Sequence, residues 1–266
     1  MSQLEVSCST QVKLVIFDWA GTIIDFGCQA PVIVLQRLFD LQGVPITDAE
    51  ARGPMGVAKR DHIEAILAMS SVHERWADRF GAAPCVADLD RLYHDFLPLQ
   101  KSILAEYSQP IPGAREVFEQ LKAAGITIGS TTGYTRELME IVVPIAASYG
   151  LSPDVVVTSD EVPRGRPAPD MIQKVMRFAE VIDPAEVVKV DDTIVGIEAA
   201  ANAHCRSVAV IGSGNSLGLT ELQYLELTEV ERESLSSPVR QQFEQAGADY
   251  VIDTVADLME VLEIIG

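Results

Sequence analysis

Six short apolar runs, separated by segments long enough for helices, restrict this chain more than any other feature. The runs are Val12–Phe17, Ile126–Ser130, Val155–Thr158, Val187–Val190, Ser207–Ile211 and Tyr250–Ile252. Their apolar character is continuous rather than alternating, which means burial on both faces and a parallel strand covered by helices. Between them the spacing predicts helices over Ala114–Ala124, Pro167–Val181, Ile194–Ala203 and Val255–Ile264. In the first of these, Val117, Phe118 and Leu121 share a face and Gly125 is a natural stop. Strands alternating with helices build an α/β fold, a Rossmann-like doubly wound parallel sheet.

Residues from about 26 to 104 break this rhythm. They are helical in pattern over Pro31–Leu41, Ala58–Met69, Val72–Phe80 and Leu89–Glu106, with no strong strand. The expected organisation is therefore a catalytic core of residues 1–25 and 105–266, with a helical cap domain, 26–104, inserted after the first strand. The stiff return Gln109-Pro-Ile-Pro-Gly113 suits a hinge. A length of 266 residues with 48% hydrophobic content accommodates one such core and its insertion.

Charge narrows the partners. A formal net charge of −19 repels nucleic acid phosphates and anionic headgroups, so neither nucleic acid nor a membrane is expected as partner. It also repels an anionic substrate at long range, so a phosphate-bearing molecule must be met by a local cluster of cations. Cys8, Cys28, Cys85 and Cys205 are scattered, without C-x-x-C pairs or zinc-like histidine spacing, as in a reduced compartment. The N-terminus lacks a signal-peptide pattern and no apolar run approaches the ~20 residues of a membrane span, so a soluble cytoplasmic protein is expected.

In open parallel sheets, ligands bind beyond the carboxyl ends of the strands. Four such ends carry reactive residues: Asp18-Trp-Ala20-Gly21-Thr22, Gly129-Ser-Thr-Thr132-Gly133-Tyr134, Arg164-Gly-Arg166-Pro167, and Lys189-Val-Asp191-Asp192-Thr193. The carboxylates suit Mg²⁺, which prefers hard oxygen ligands. Hydroxyls, backbone N–H groups and a guanidinium suit a phosphoryl group. The combination fits phosphoryl transfer.

These four segments, in this order along the whole chain, resemble the motifs of the haloacid dehalogenase superfamily. With Gly53-Pro-Met55-Gly56, Lys59, His62 and Gly165-Arg-Pro-Ala-Pro169, they are similar more narrowly to the phosphonatase family, which cleaves the C–P bond of phosphonoacetaldehyde. The resemblance implies that Asp18 attacks phosphorus. It implies that Asp18, Asp192 and the carbonyl oxygen of Ala20 hold Mg²⁺, and that Thr132 and Arg166, with Gly133 and Tyr134 beside them, bind the substrate. Lys59 then forms an imine with the aldehyde. Cys28 falls where the family also has a cysteine near the site, though a buried apolar thiol reads equally well. The resemblance further implies a homodimer joined through the caps, acting on a small-molecule phosphonate.

Ala20 supports that reading chemically. A phosphatase of the superfamily carries an acid two residues after the nucleophile to protonate the leaving alcohol, and alanine cannot do so. A carbon leaving group calls for an amine that turns the aldehyde into an iminium, into which the C–P electrons can flow. A free lysine has a pKa of about 10.4, so roughly one in ~2,500 is neutral at pH 7. Desolvation by Met55 would raise that fraction, and His62, one turn along from Lys59, could shuttle protons. The rival readings are a phosphatase or phosphomutase, which Ala20 disfavours, and a non-catalytic binding protein, which the retention of Asp18 and Asp192 disfavours.

Two departures from the family pattern stand out. In the fourth segment Asp191 stands where the superfamily has glycine and Gly196 where a second metal-shell acid often falls; further on, Ala203-His204-Cys205 stands where the phosphonatase pattern has Gly-Met-Trp and reads as packing. Arg164 is an alternative to Arg166 as phosphoryl ligand. Gly212-Ser-Gly-Asn215 reads as an ordinary turn. His73, His94, Cys8, Cys85 and the acidic run near 226–233 read as surface.

Overall fold

The computed structural model describes residues 11–266; Cys8 lies outside them. Strand β1 (Leu14–Phe17) is followed by five helices: α1 (Gln29–Leu41), α2 (Asp48–Arg52), α3 (Lys59–Ala68), α4 (Ser70–Phe80) and α5 (Val86–Leu104). The chain then alternates: α6 (Ala114–Ala123), β2 (Thr127–Thr132), α7 (Arg136–Ser148), β3 (Val155–Thr158), α8 (Asp170–Phe178), β4 (Val187–Asp191) and α9 (Ile194–Asn202). It closes with β5 (Arg206–Val210), α10 (Glu221–Glu226), α11 (Glu229–Gln245), β6 (Tyr250–Ile252) and α12 (Leu258–Ile265).

The strands form one parallel sheet in the order β3-β2-β1-β4-β5-β6. All four residues of β1 are buried, as expected of a central strand covered on both faces. Its neighbours are β2 on one side and β4 on the other, with Phe17 in register with both Ser130 and Val190. The strand order therefore reverses at β1, and the residues just beyond Phe17, Thr131 and Val190 open onto one crevice. Fully burying each Leu, Ile or Phe side chain along this strand is worth about 1.5–3 kcal/mol.

Helices α1–α5 have their own apolar centre, in which Leu35, Leu38, Phe39, Ile63, Ile66, Trp76 and Phe96 are buried. The two segments that join them to the sheet lie side by side: Ile24 bridges Pro110, and Ile111 N–H donates to Ile23 O at 2.9 Å.

Some elements differ from the sequence reading. Helix α8 begins at Asp170 rather than Pro167, because Pro167 and Pro169 hold its approach in a loop. Helix α3 runs over Lys59–Ala68, close to the Ala58–Met69 read from sequence, with Met55 in the turn before it. Helices α7 and α11 were not legible, for each carries a proline in its interior, Pro144 and Pro238, which argues against a helix locally. Burial of Leu138, Met139, Val142 and Ala146 overrides that in α7. Helix α11 starts instead from a capping box, with Thr228 and Glu231 satisfying each other's backbone N–H groups. The run 226–233 is indeed mostly solvent-facing, as are His73, His94 and Cys85.

Candidate active site

Asp18 leaves β1 at its carboxyl end, and its own N–H donates to Val190 O at 2.9 Å. That bond pins the nucleophile candidate between β1 and β4. Three residues on, the chain turns at Gly21 (φ +84°), where a Cβ would stand 2.2 Å from Asp192 Oδ2. Only glycine permits both the left-handed conformation and this approach.

Asp18, Asp191 and Asp192 are buried, and one carboxylate oxygen from each lies within 4.8 Å of the others. Their surroundings differ. Asp191 is ion-paired to Lys189 Nζ at 2.7 Å and to Arg166 Nη1 at 3.5 Å. Despite burial, these cations hold its carboxyl below the usual range. Asp192 has no such cation. It accepts Thr22 Oγ1 at 3.2 Å and Asn215 N–H at 2.8 Å. Burial, with the charges of Asp18 and Asp191, pushes its carboxyl well above the usual range. A hard-oxygen pocket short of positive charge at the Asp192 end fits a divalent cation.

Arg166 is almost fully buried, and its Nη2 donates to Asp18 Oδ1 at 2.5 Å and to Thr131 O at 2.9 Å. Burial opposes its charge, but Asp18 and Asp191 outweigh that and raise its pKa. Arg164 turns away: its side chain is 70% exposed and pairs with Asp170 at 2.7 Å. Of the two alternatives read from sequence, only Arg166 reaches the crevice.

Helices α1–α5 cover this edge and bring Lys59 to it. Lys59 is the first residue of α3 and only 4% exposed. Its Nζ lies 3.8 Å from Met55 Sδ and 5.4 Å from the centre of the Tyr134 ring. Desolvation lowers the pKa of this amine, with Arg166 adding to the effect against Cys28, Asp18 and Asp192. One cavity is lined by Asp18, Ala20, Lys59, Arg166, Thr132 and Gly133, with Met55, Cys28 and Tyr134 completing the wall. It leaves about 20 Å³ for water-sized occupants, room for roughly one. Burial pushes the Cys28 thiol up, so it stays neutral.

His62 does not line that cavity. Its Nε2 lies 2.8 Å from Ala51 O, which can only accept, so the proton sits on Nε2. Burial and the charge of Lys59 push its pKa down to about 3. His62 is a neutral ring that ties α3 to α2 and stands outside the cavity that Lys59 lines.

Sequence reasoning missed several residues. Lys189, fully buried in β4, had a signal, since it is the one charge in an otherwise apolar run. Arg52 had none, and Ser213 and Asn215 lie in the Gly/Ser turn that the sequence gives no role. Ser213 Oγ donates to Gly21 O at 2.8 Å, so the 212–215 turn is a wall of the acidic pocket rather than an ordinary turn.

A parallel sheet that gathers a buried aspartate, an acidic pair and a guanidinium at its switch point defines the haloacid dehalogenase-like hydrolase class, and the description of that family matches residues 12–204. The phosphonoacetaldehyde hydrolase of Paraburkholderia phytofirmans is 46% identical over 251 residues, 94% of this chain and 94% of that one. That of Bacillus cereus is 42% identical over 95% of this chain and 96% of its own. The crystal structure of a phosphonoacetaldehyde hydrolase-like protein from Oleispira antarctica superposes with a TM-score of 0.95 at 42% identity, covering 100% of this chain and 96% of that one. The chain belongs to the phosphonoacetaldehyde hydrolase family within the haloacid dehalogenase-like hydrolases.

Proposed function

We propose that this protein hydrolyses the C–P bond of phosphonoacetaldehyde, giving acetaldehyde and phosphate. One observation carries the reading beyond the family name. A buried, desolvated amine, Lys59, shares a closed cavity with Asp18 and Arg166, and at Ala20 there is no acid to protonate a leaving alcohol.

In this reading Arg166, Thr132 and the neighbouring backbone hold the phosphoryl oxygens. Neutral Lys59 adds to the aldehyde carbon, and with uptake of one proton water departs, leaving an iminium. Asp18 then attacks phosphorus. The electrons of the breaking C–P bond pass to the iminium nitrogen as an enamine, and the phosphoryl group is left on Asp18. Protonation of the enamine carbon and hydrolysis of the resulting imine release acetaldehyde and restore Lys59. Water cleaves the aspartyl phosphate and restores Asp18. Met55 and the Tyr134 ring keep the amine out of water, and Cys28 contributes a neutral wall. Mg²⁺ held by Asp18, Asp192 and the carbonyl oxygen of Ala20 would supply a Lewis acid that neutralises phosphoryl charge. Helices α1–α5, within residues 26–104, act as a cap over the core. It opens to admit substrate, because the closed cavity is too small to exchange it. A homodimer is part of the same proposal.

The deciding assay follows acetaldehyde and phosphate together, from phosphonoacetaldehyde and from a phosphate monoester, with and without Mg²⁺. Equal release of both products from the phosphonate, dependent on Mg²⁺, is expected. Phosphate release from the ester alone would replace this reading with a phosphatase.

A further inference from the structure

On α9, residue 196 has no side chain, and the Asp191 carboxylate fills the space one would occupy. A Cβ at Gly196 would stand 2.0 Å from Asp191 Cγ and 2.2 Å from each carboxylate oxygen. From that place Oδ1 accepts the Thr193 N–H at 3.0 Å and the Thr193 hydroxyl at 2.7 Å. Oδ2 faces Lys189 Nζ at 2.7 Å and Arg166 Nη1 at 3.5 Å. The opposite edge of the same guanidinium, Nη2, reaches Asp18.

Arg166 thus lies between two carboxylates, hydrogen-bonded to Asp18 through Nη2 and ion-paired at 3.5 Å to Asp191 through Nη1, which also donates to Gly56 O at 3.4 Å, and the two contacts have different fates. If Arg166 binds a phosphoryl group, as the proposed function requires, Nη2 must exchange Asp18 for phosphoryl oxygens. Nη1 has no reason to let go of Asp191. A guanidinium held by one edge presents the other in a fixed plane, which is what bidentate recognition of phosphate needs. Lys189 sits on the far side of Asp191 and neutralises a carboxylate that burial would otherwise penalise.

We propose that Asp191 is a positioning residue for Arg166, and that its carboxylate reaches that place from β4 only because residue 196 is glycine. The carboxylate can then be supplied equally from position 196 if residue 191 is glycine.

The test measures binding of inorganic phosphate by calorimetry at saturating Mg²⁺, with Mg²⁺ titrations and melting temperatures alongside. The variants are Arg166→Ala, Asp191→Asn, Gly196→Asp and the exchange Asp191→Gly/Gly196→Asp. Arg166→Ala should weaken phosphate binding; if it does not, the phosphoryl role of Arg166 falls and the positioning role with it. With that control in place, Asp191→Asn should weaken phosphate roughly tenfold, more than it weakens Mg²⁺. Gly196→Asp alone should melt lower, because two carboxylates compete for one space. The exchange should regain both the melting temperature and the phosphate affinity. A folded Asp191→Asn that binds phosphate like wild type, or one that loses Mg²⁺ affinity instead, overturns the proposal while leaving the function intact. So does an exchange variant no better than the worse of its two parents, or one that fails to fold.

Discussion

A lysine amine in water at pH 7 is almost wholly protonated, and an imine-forming lysine has to be an exception. For Lys59 the exception is made by desolvation between α3, Met55 and the Tyr134 ring. Borohydride added with phosphonoacetaldehyde or acetaldehyde should therefore trap a secondary amine on Lys59, located by peptide mass mapping. Lys59→Arg keeps a cation but offers no usable nucleophile, and turnover should vanish. A label on another lysine, or near wild-type turnover by Lys59→Arg, would remove the imine from the mechanism. The same burial has a thermodynamic sign. A lysine whose folded pKa lies below its unfolded value costs stability at every pH below the folded pKa. The cost fades as pH rises toward the unfolded value, because over that interval the unfolded chain binds the extra proton. Lys59→Met should raise the melting temperature by ~2–4 °C near neutrality, with the gain shrinking on the alkaline side. A melting point that falls, or a pH-independent gain, would contradict the desolvated amine.

Among elements, the cap and the sheet meet through missing side chains. A Cβ on Gly133, just after β2, would stand 2.6 Å from Val57 O in the turn before α3. One on Gly56 (φ +96°) would stand 2.6 Å from Thr193 Oγ1 and from Val195 Cγ2. Gly133→Ala should leave folding intact, since the strain appears only on closure. It should lower kcat/KM by about 10²-fold by displacing Lys59 from the phosphoryl site. Unchanged kcat/KM would mean that this closed contact is not the reactive one. A second junction is polar. Arg52, at the end of α2, donates to Gly27 O at 2.8 Å and to Gly218 O at 3.2 Å, and it reaches Asn215 Oδ1 at 3.3 Å. Asn215 in turn donates its N–H to Asp192. Arg52→Met should cost about 1.5–3 kcal/mol of stability and speed amide hydrogen exchange in residues 212–219. Exchange there at the wild-type rate would separate Arg52 from that loop.

For the whole molecule, the net charge of −19 and the closed cavity act together. Long-range repulsion leaves capture of an anion to Arg166 and Lys59, both buried and both lining the cavity, with Lys189 offsetting the charge of Asp191 behind them. Among the described residues no helix is long and apolar enough to cross a membrane. The family resemblance carries a homodimer, so light scattering at micromolar concentration should report twice the chain mass; a mass of one chain would end that proposal.

All six strands and the reactive ends of β1, β2 and β4 were readable from the sequence. The reason is local: a strand buried on both faces must be apolar throughout, and a polar residue at its end stands out against that run. Asp18, Thr132 and Asp192 stand out in this way as residues at strand ends; the roles proposed for them came from the order of the segments and the family resemblance. What the sequence could not decide depends on contacts across the chain. Arg164 and Arg166 are two residues apart and chemically equivalent, and only the fold turns one outward to Asp170 and the other inward to Asp18. His62 shares a helix with Lys59, yet its ring points to Ala51 and not to the cavity. Asn215 and Arg52 act on partners 23 and 163 positions away, separations that no local pattern encodes, and although Asp191 and Gly196 stand out in the sequence, only the fold shows the Asp191 carboxylate filling the space a side chain at 196 would take.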